Sequence, residues 1–121
     1  MNKIITVLIL VLSLSLFSGC SKVSDEDLRA AHKAADQGAM IIDVRSKKEY
    51  DNGHIDNAVN IPLDYLDKMY GRIPKDKEII VYCRSGSRSM VAAHLLRGQG
   101  WTVHDIATQD DWKRKLPPPK Q

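Results

Sequence analysis

Two short apolar runs, "AMIIDV" at residues 39–44 and "EIIVYC" at residues 78–83, constrain this chain more than any other feature. Both carry β-branched residues, and neither alternates between apolar and polar. A strand that is apolar on both faces must be covered on both, which is the condition of a parallel sheet held between helices. Segments of helical character supply the covers. "DEDLRAAHKAADQ" follows Ser24, a capping residue with acids behind it, and Gly38 offers a stop. "LDYLDKMYG" is apolar at 63, 66 and 70 and reads as a short helix. "RSMVAAHLLRGQG" sets Val91 beside Leu95 and Ala92 beside Leu96. "AVNIP", ended by Pro62, and "WTVHDI" give two further strands. Strands and helices alternate, so the expected fold is a doubly wound α/β sandwich, with ligands bound beyond the carboxyl ends of the strands.

The second apolar run leads into "CRSGSR", residues 83–88, which closes a strand and opens a helix. Gly86 permits a backbone conformation closed to most residues. Small serines, Ser85 and Ser87, let successive amides turn inward, and a nest of amides at a helix N-terminus stabilises negative charge. A thiol at Cys83 in that position is expected below its reference pKa of ~8.5. Arg84 and Arg88 add positive potential for an anionic substrate. A cysteine activated in this way needs no histidine beside it. Two chemistries use such a loop: attack on phosphorus and attack on sulfur. Four residues, Arg84 to Ser87, separate Cys83 from Arg88. Cysteine phosphatases have one more, and a tighter ring fits a single sulfur better than a tetrahedral phosphate.

The opening "MNKIITVLILVLSLSLFSGC" has a basic residue, Lys3, an apolar stretch over 4–17 and small residues before Cys20. The stretch falls short of the ~20 residues of a membrane span and has the proportions of a signal-peptide core. The segment resembles a bacterial lipobox, with Phe17 in place of the usual aliphatic residue three positions before the cysteine and Leu16 one step earlier. That resemblance implies a leader over 1–19, lipidation of Cys20, a tether over 20–22 and a protein anchored in the bacterial envelope, facing the periplasm. Ser21 after the cysteine leans towards the outer membrane. The alternative is an ordinary secretory leader, with a periplasmic protein and Cys20 as a spare thiol. With Cys20 lipidated, Cys83 is the remaining thiol. A lone thiol in an oxidising compartment is more readily explained by use than by packing.

Charge excludes one class of partner. The chain holds 18 basic and 15 acidic residues, and no helix or face gathers the basic ones as a nucleic-acid binder would. The roughly one hundred residues beyond the leader suit a single domain. The end, "WKRKLPPPKQ", is basic and interrupted by three prolines, so a frayed tail is expected over 116–121.

From about residue 23 to 115 the chain resembles a rhodanese-like domain. "IIDVRSKKEYDNGHIDNAVNIPL" is similar to the first signature of that family through Asp43, Val44, Arg45, Glu49, Gly53, His54, Ile55, Ala58, Asn60, Ile61 and Pro62. "VYCRSGSRS" is similar to its cysteine loop, and Gly100–Trp101 to the glycine before its last strand. Two positions depart: Asn57 replaces a usual glycine, and "DIATQDDW" carries Ala107 and Thr108 where the family has paired glycines. Asn tolerates a left-handed backbone. The second departure lies near the active-site mouth in relatives and bears on substrate preference.

The resemblance implies a three-layer sandwich with a five-stranded, mainly parallel sheet. It also implies a sulfurtransferase in which Cys83 carries a persulfide. Arg84, Ser85, Gly86, Ser87 and Arg88 would hold substrate. Arg45 would either contact substrate or hold loops by pairing with Asp43. His54 belongs to a turn rather than to catalysis. The expected partners are a small anionic sulfur donor, such as thiosulfate, and a thiol or cyanide acceptor. A monomer is expected, without cofactor. His32, His94 and His104 lack metal-ligand spacing with each other or with Cys83, so no metal is expected. The rival readings are a lipid-anchored binding or persulfide-carrier module and a cysteine-dependent phosphatase or arsenate reductase.

Overall fold

The computed structural model describes residues 23–121. The expected leader over 1–19, the lipidated Cys20 and the tether over 20–22 lie outside the described residues. Helix α1 spans Asp25–Asp36, strand β1 Met40–Asp43, helix α2 Lys47–Asp51 and strand β2 Val59–Asn60. A helical segment of three short pieces comes next, with α3, Leu66–Met69, between single 3-10 turns at Leu63–Tyr65 and Tyr70–Arg72. Strand β3 spans Ile79–Cys83, helix α4 Ser87–Gly98, strand β4 Val103–Thr108 and helix α5 Gln109–Lys113.

The strands form one parallel sheet in the order β2-β1-β3-β4. From β1 the chain moves outward to β2 and then returns to the other side as β3, so the order reverses between β1 and β3. The carboxyl ends of these two strands, Asp43 and Cys83, flank the crevice where such folds bind ligands.

Successive side chains of β3 enter opposite cores. Ile79, Val81 and Cys83 face α3 and α4, with Ile42, Ile61, Leu66, Ala92, Leu96 and Trp101. Ile80 and Tyr82 face α1, with Leu28, Ala31, Ala34, Ile55 and Ile106. This is why the run "IIVYC" could not alternate: both faces are interior.

The caps obey local chemistry. Ser24 accepts a hydrogen bond from the Asp27 amide at 3.0 Å, and Gly38 takes a left-handed φ of 93° after α1. Asn57, in the place of a family glycine, has φ 66°, so the turn there keeps its left-handed form.

Three features differ from the sequence expectation. The sheet of the described residues has four strands rather than five. Helices α2 and α5 were not expected. Both stand behind a capping signal, Ser46 with Glu49 for α2 and Thr108 with Asp111 for α5. The tail, expected to fray from residue 116, is held at its start. Leu116 packs against the α1-side core, and Arg29 donates to the Pro117 carbonyl. Just before it, Arg114 donates to the Val23 carbonyl at 2.7 Å and to Asp25 at 3.0 Å. On α4 the buried face is Ser89, Ala92, Ala93 and Leu96, which leaves Met90, Val91 and Leu95 exposed.

The cysteine loop as candidate active site

Helix α4 begins without a side-chain cap. Its N-cap is Gly86, at φ 97°, and no hydroxyl or carboxylate receives the first amides in the usual way. The Cys83 sulfur takes that place. Gly86 N–H points at Sγ from 3.0 Å and Ser89 N–H from 3.3 Å. The strand therefore delivers its last side chain to the positive end of the next helix.

Cys83 is only 1% exposed, and burial pushes its thiol pKa up. The Ser89 hydroxyl and amide, with the amides of Gly86 and Ser85, act against burial and win: the thiol lies below its ordinary value. Ser89, fully buried at the third position of α4, was not singled out in the sequence. Its signal was there: a small polar residue three positions beyond the helix start is where a cap's amide partner must lie.

The remaining expected site residues separate into different surroundings. Ser85 and Ser87 are exposed, and of the two only Ser85 acts on the sulfur, through its amide. Arg84 is exposed beside a cavity of about 400 Å³ whose walls include Glu49, Gly53, Gln109 and Lys113. Arg88 does not aim a free charge at the sulfur. It grips Glu49 on α2 through two hydrogen bonds of 2.7 and 2.9 Å. The Arg88 guanidinium, helped by the Ser46 amide, holds the Glu49 carboxyl well below the usual carboxylate range. The loop is thus clamped to α2, and Glu49 serves twice, as capping box and as clamp.

Arg45 reaches the same cavity, but its guanidinium is committed. Nε and Nη2 bind the fully buried Asp43 carboxylate, and Nη2 also donates to the Gly53 carbonyl at 2.7 Å. This hydrogen bonding raises the Arg45 pKa further. Asp43 also accepts from a second residue, the Tyr82 hydroxyl at 2.7 Å, and that hydroxyl accepts from the Ile55 amide. Burial and the Asp43 contact push the Tyr82 pKa far up, so the hydroxyl stays a donor. The network joins the end of β1, the Gly53–Ile55 turn and β3. Of the two roles expected for Arg45, holding loops is the one this geometry supplies. Tyr82 was missed in the sequence because its partner is 39 positions away.

The histidines lie elsewhere. His54 stacks on Tyr50 at 3.7 Å, His32 on Trp112 at 3.8 Å, and His104 faces Glu78 at 3.2 Å. Another cavity, of about 670 Å³, lies near the start of β1, lined by Met40, Val59, Arg72 and Trp112. Neither cysteine nor serine lines it, whereas the cysteine loop brings a thiol and its donors together.

The chain is similar to several known proteins. YqhL of Bacillus subtilis is 39% identical over 80 residues, 66% of this chain and 60% of that protein. A sulfurtransferase of Allochromatium vinosum is 31% identical over 77 residues, 64% of this chain and 72% of the relative. The solved structure of the human single-domain sulfurtransferase TSTD1 is 28% identical, with a TM-score of 0.61 over 80% of this chain and 100% of that one. The chain spans only part of some relatives, 60% of YqhL and 45% of a second Bacillus subtilis protein that is 34% identical. The Rhodanese-like domain family matches residues 25–108, from the first residue of α1 to the last of β4. The chain belongs to the rhodanese-like domain family.

Proposed function

We propose that this protein is a sulfurtransferase in which the Cys83 thiolate takes a sulfane sulfur from a small anionic donor and passes it on. One observation carries the reading: Sγ sits where the Gly86 and Ser89 amides converge at the start of α4. With thiosulfate as donor, the thiolate attacks the outer sulfur. A new sulfur–sulfur bond forms, the donor's own breaks, and sulfite leaves with the electron pair. The terminal sulfur of the persulfide is anionic and suits the same amides. Cyanide or a thiolate then attacks that sulfur, the persulfide bond breaks, and Cys83 returns as thiolate. Arg84 and Lys113 at the neighbouring cavity favour an anionic substrate. The sulfurtransferase of Allochromatium vinosum supports sulfur chemistry on this domain. Against phosphoryl transfer stand the four-residue spacing and the engagement of Arg88 with Glu49, which ties up the guanidinium that closes the loop.

A persulfide carrier serving a protein acceptor is the second reading, favoured by Met90, Val91 and Leu95 standing exposed on α4 beyond the loop. The run 4–17 followed by Cys20 supports an anchored envelope protein, and acyl labelling mapped to Cys20 tests that assignment. Intact mass tests the chemistry. Thiosulfate is expected to add one sulfur atom mapping to Cys83, and cyanide to remove it. Persulfide that forms but turns over slowly with cyanide favours the carrier. No added sulfur on a free Cys83 thiol overturns both.

A further inference from the structure

Strand β4 contains one residue too many. It pairs with β3 as Ile79 with Val103, Ile80 with His104 and Val81 with Asp105, but the next pair is Cys83 with Thr108. The extra residue makes a bulge opposite Tyr82, and a bulge bends its strand and re-aims the side chains beyond it. Ala107 lies in it at φ 59°, a left-handed conformation that disfavours any residue with a Cβ. Its amide is satisfied by the Asp105 carboxylate at 2.9 Å. Glycine would take this conformation freely, so the alanine methyl stands at a position where the backbone alone gives no reason for one.

The methyl faces the cysteine loop. A Cβ placed on Gly86 would stand 3.3 Å from the Ala107 Cβ and 4.0 Å from its Cα. Gly86 is the left-handed residue whose amide donates to Cys83 Sγ. The side-chain slot that Gly86 leaves open is therefore capped by the Ala107 methyl. Two left-handed residues, one on the loop and one on the bulge, back onto each other beside the sulfur.

We propose that Ala107 is a positioning residue: its methyl buttresses Gly86 and keeps the Gly86 amide aimed at Sγ. Without the methyl, Gly86 faces a gap, and a glycine with free space around it samples many orientations. The amide then spends less time on the sulfur, and the thiolate loses a donor. The inference rests on the reading that Cys83 works as a thiolate. It does not depend on sulfur being the substrate.

The test is the pH dependence of iodoacetamide alkylation at Cys83 in the purified full chain, quantified on the Cys83 peptide so that Cys20 does not contribute. Ala107→Gly is expected to move the midpoint upward by about half a unit to one unit, roughly a three- to tenfold slower reaction well below the midpoint. Ala107→Ser keeps a Cβ and is expected to retain the wild-type midpoint. The charged groups around the sulfur are Arg84, Arg88 with Glu49, the Asp43–Arg45 pair and Asp105. Neither substitution alters any of them, so a shifted midpoint reports the amide. A merely structural role would change the melting temperature and leave the midpoint where it was. An unchanged midpoint in Ala107→Gly overturns the proposal, as does an equal shift in both variants. Because alkylation reads the thiolate directly, this failure is separate from a failure to form persulfide with thiosulfate.

Discussion

Arg88 on α4 and Glu49 on α2 face each other as a two-bonded ion pair, 2.7 and 2.9 Å, across the open side of the cysteine loop. The pair fastens the helix that activates Cys83 to the segment carrying the Asp43–Arg45 network. Its position explains how one carboxylate can cap the start of one helix and hold another.

Removing that carboxylate separates its two roles. Glu49→Gln keeps a capping partner for Ser46 and loses the charge; for a partly exposed pair the cost is under about 1 kcal/mol. Glu49→Ala also loses the capping box and is expected to cost about 1 kcal/mol more. Urea denaturation of the two variants measures the difference, and equal stabilities would refute the double role.

The same residue sets an acid limit. The Glu49 pKa is depressed in the folded protein, so its contribution is present above the unfolded value of ~4.3 and is lost as pH falls through the folded value. Wild type is expected to lose stability more steeply than Glu49→Gln on acidification below pH ~4. Parallel curves would show that the ion pair contributes nothing.

At Cys83 the expected order of stability is informative. A serine hydroxyl can accept from the Gly86 and Ser89 amides, so Cys83→Ser should fold normally while all sulfur transfer is lost. Cys83→Ala leaves those amides without an acceptor and should lose about 1 kcal/mol, as other uncapped helices do. The lowered thiol pKa adds a signature. Its stabilisation is full above the unfolded value of ~8.5 and fades as pH falls through the folded one. Cys83→Ser should lack that pH dependence.

Asp43 is the site of greatest mechanical consequence. It is fully buried and bound by Arg45 and Tyr82. Asp43→Ala leaves a buried guanidinium unpaired and is expected to cost about 3–5 kcal/mol. Tyr82→Phe removes one donor to the carboxylate and the acceptor of the Ile55 amide, for about 1–3 kcal/mol. Thermal denaturation should rank them in that order, and a mild Asp43→Ala would contradict the role given to the network.

Asn57 tests the turn chemistry. At φ 66°, Asn57→Gly should be neutral or slightly stabilising, while Asn57→Val should cost roughly 1–2 kcal/mol for the left-handed backbone. Equal melting temperatures for the two would refute the strain argument.

The sequence by itself determined the strand–loop–helix unit around Cys83, because its signals are local. An unalternating apolar run must be covered on both faces, and a glycine among small residues turns amides inward. The capping signals of α1 and α2 are equally local, and Ser46 with Glu49 was readable although it was not read. Only the tertiary structure decided the rest. Arg88 and Glu49 lie 39 positions apart, as do Tyr82 and Asp43. Such partners are chosen by which strand ends the parallel sheet brings side by side. The bulge that sets Ala107 against Gly86 is likewise a property of two strands in register. A fifth strand implied by resemblance did not appear among the described residues. Local physics singled out Cys83, and the register of distant segments fixed how it is held.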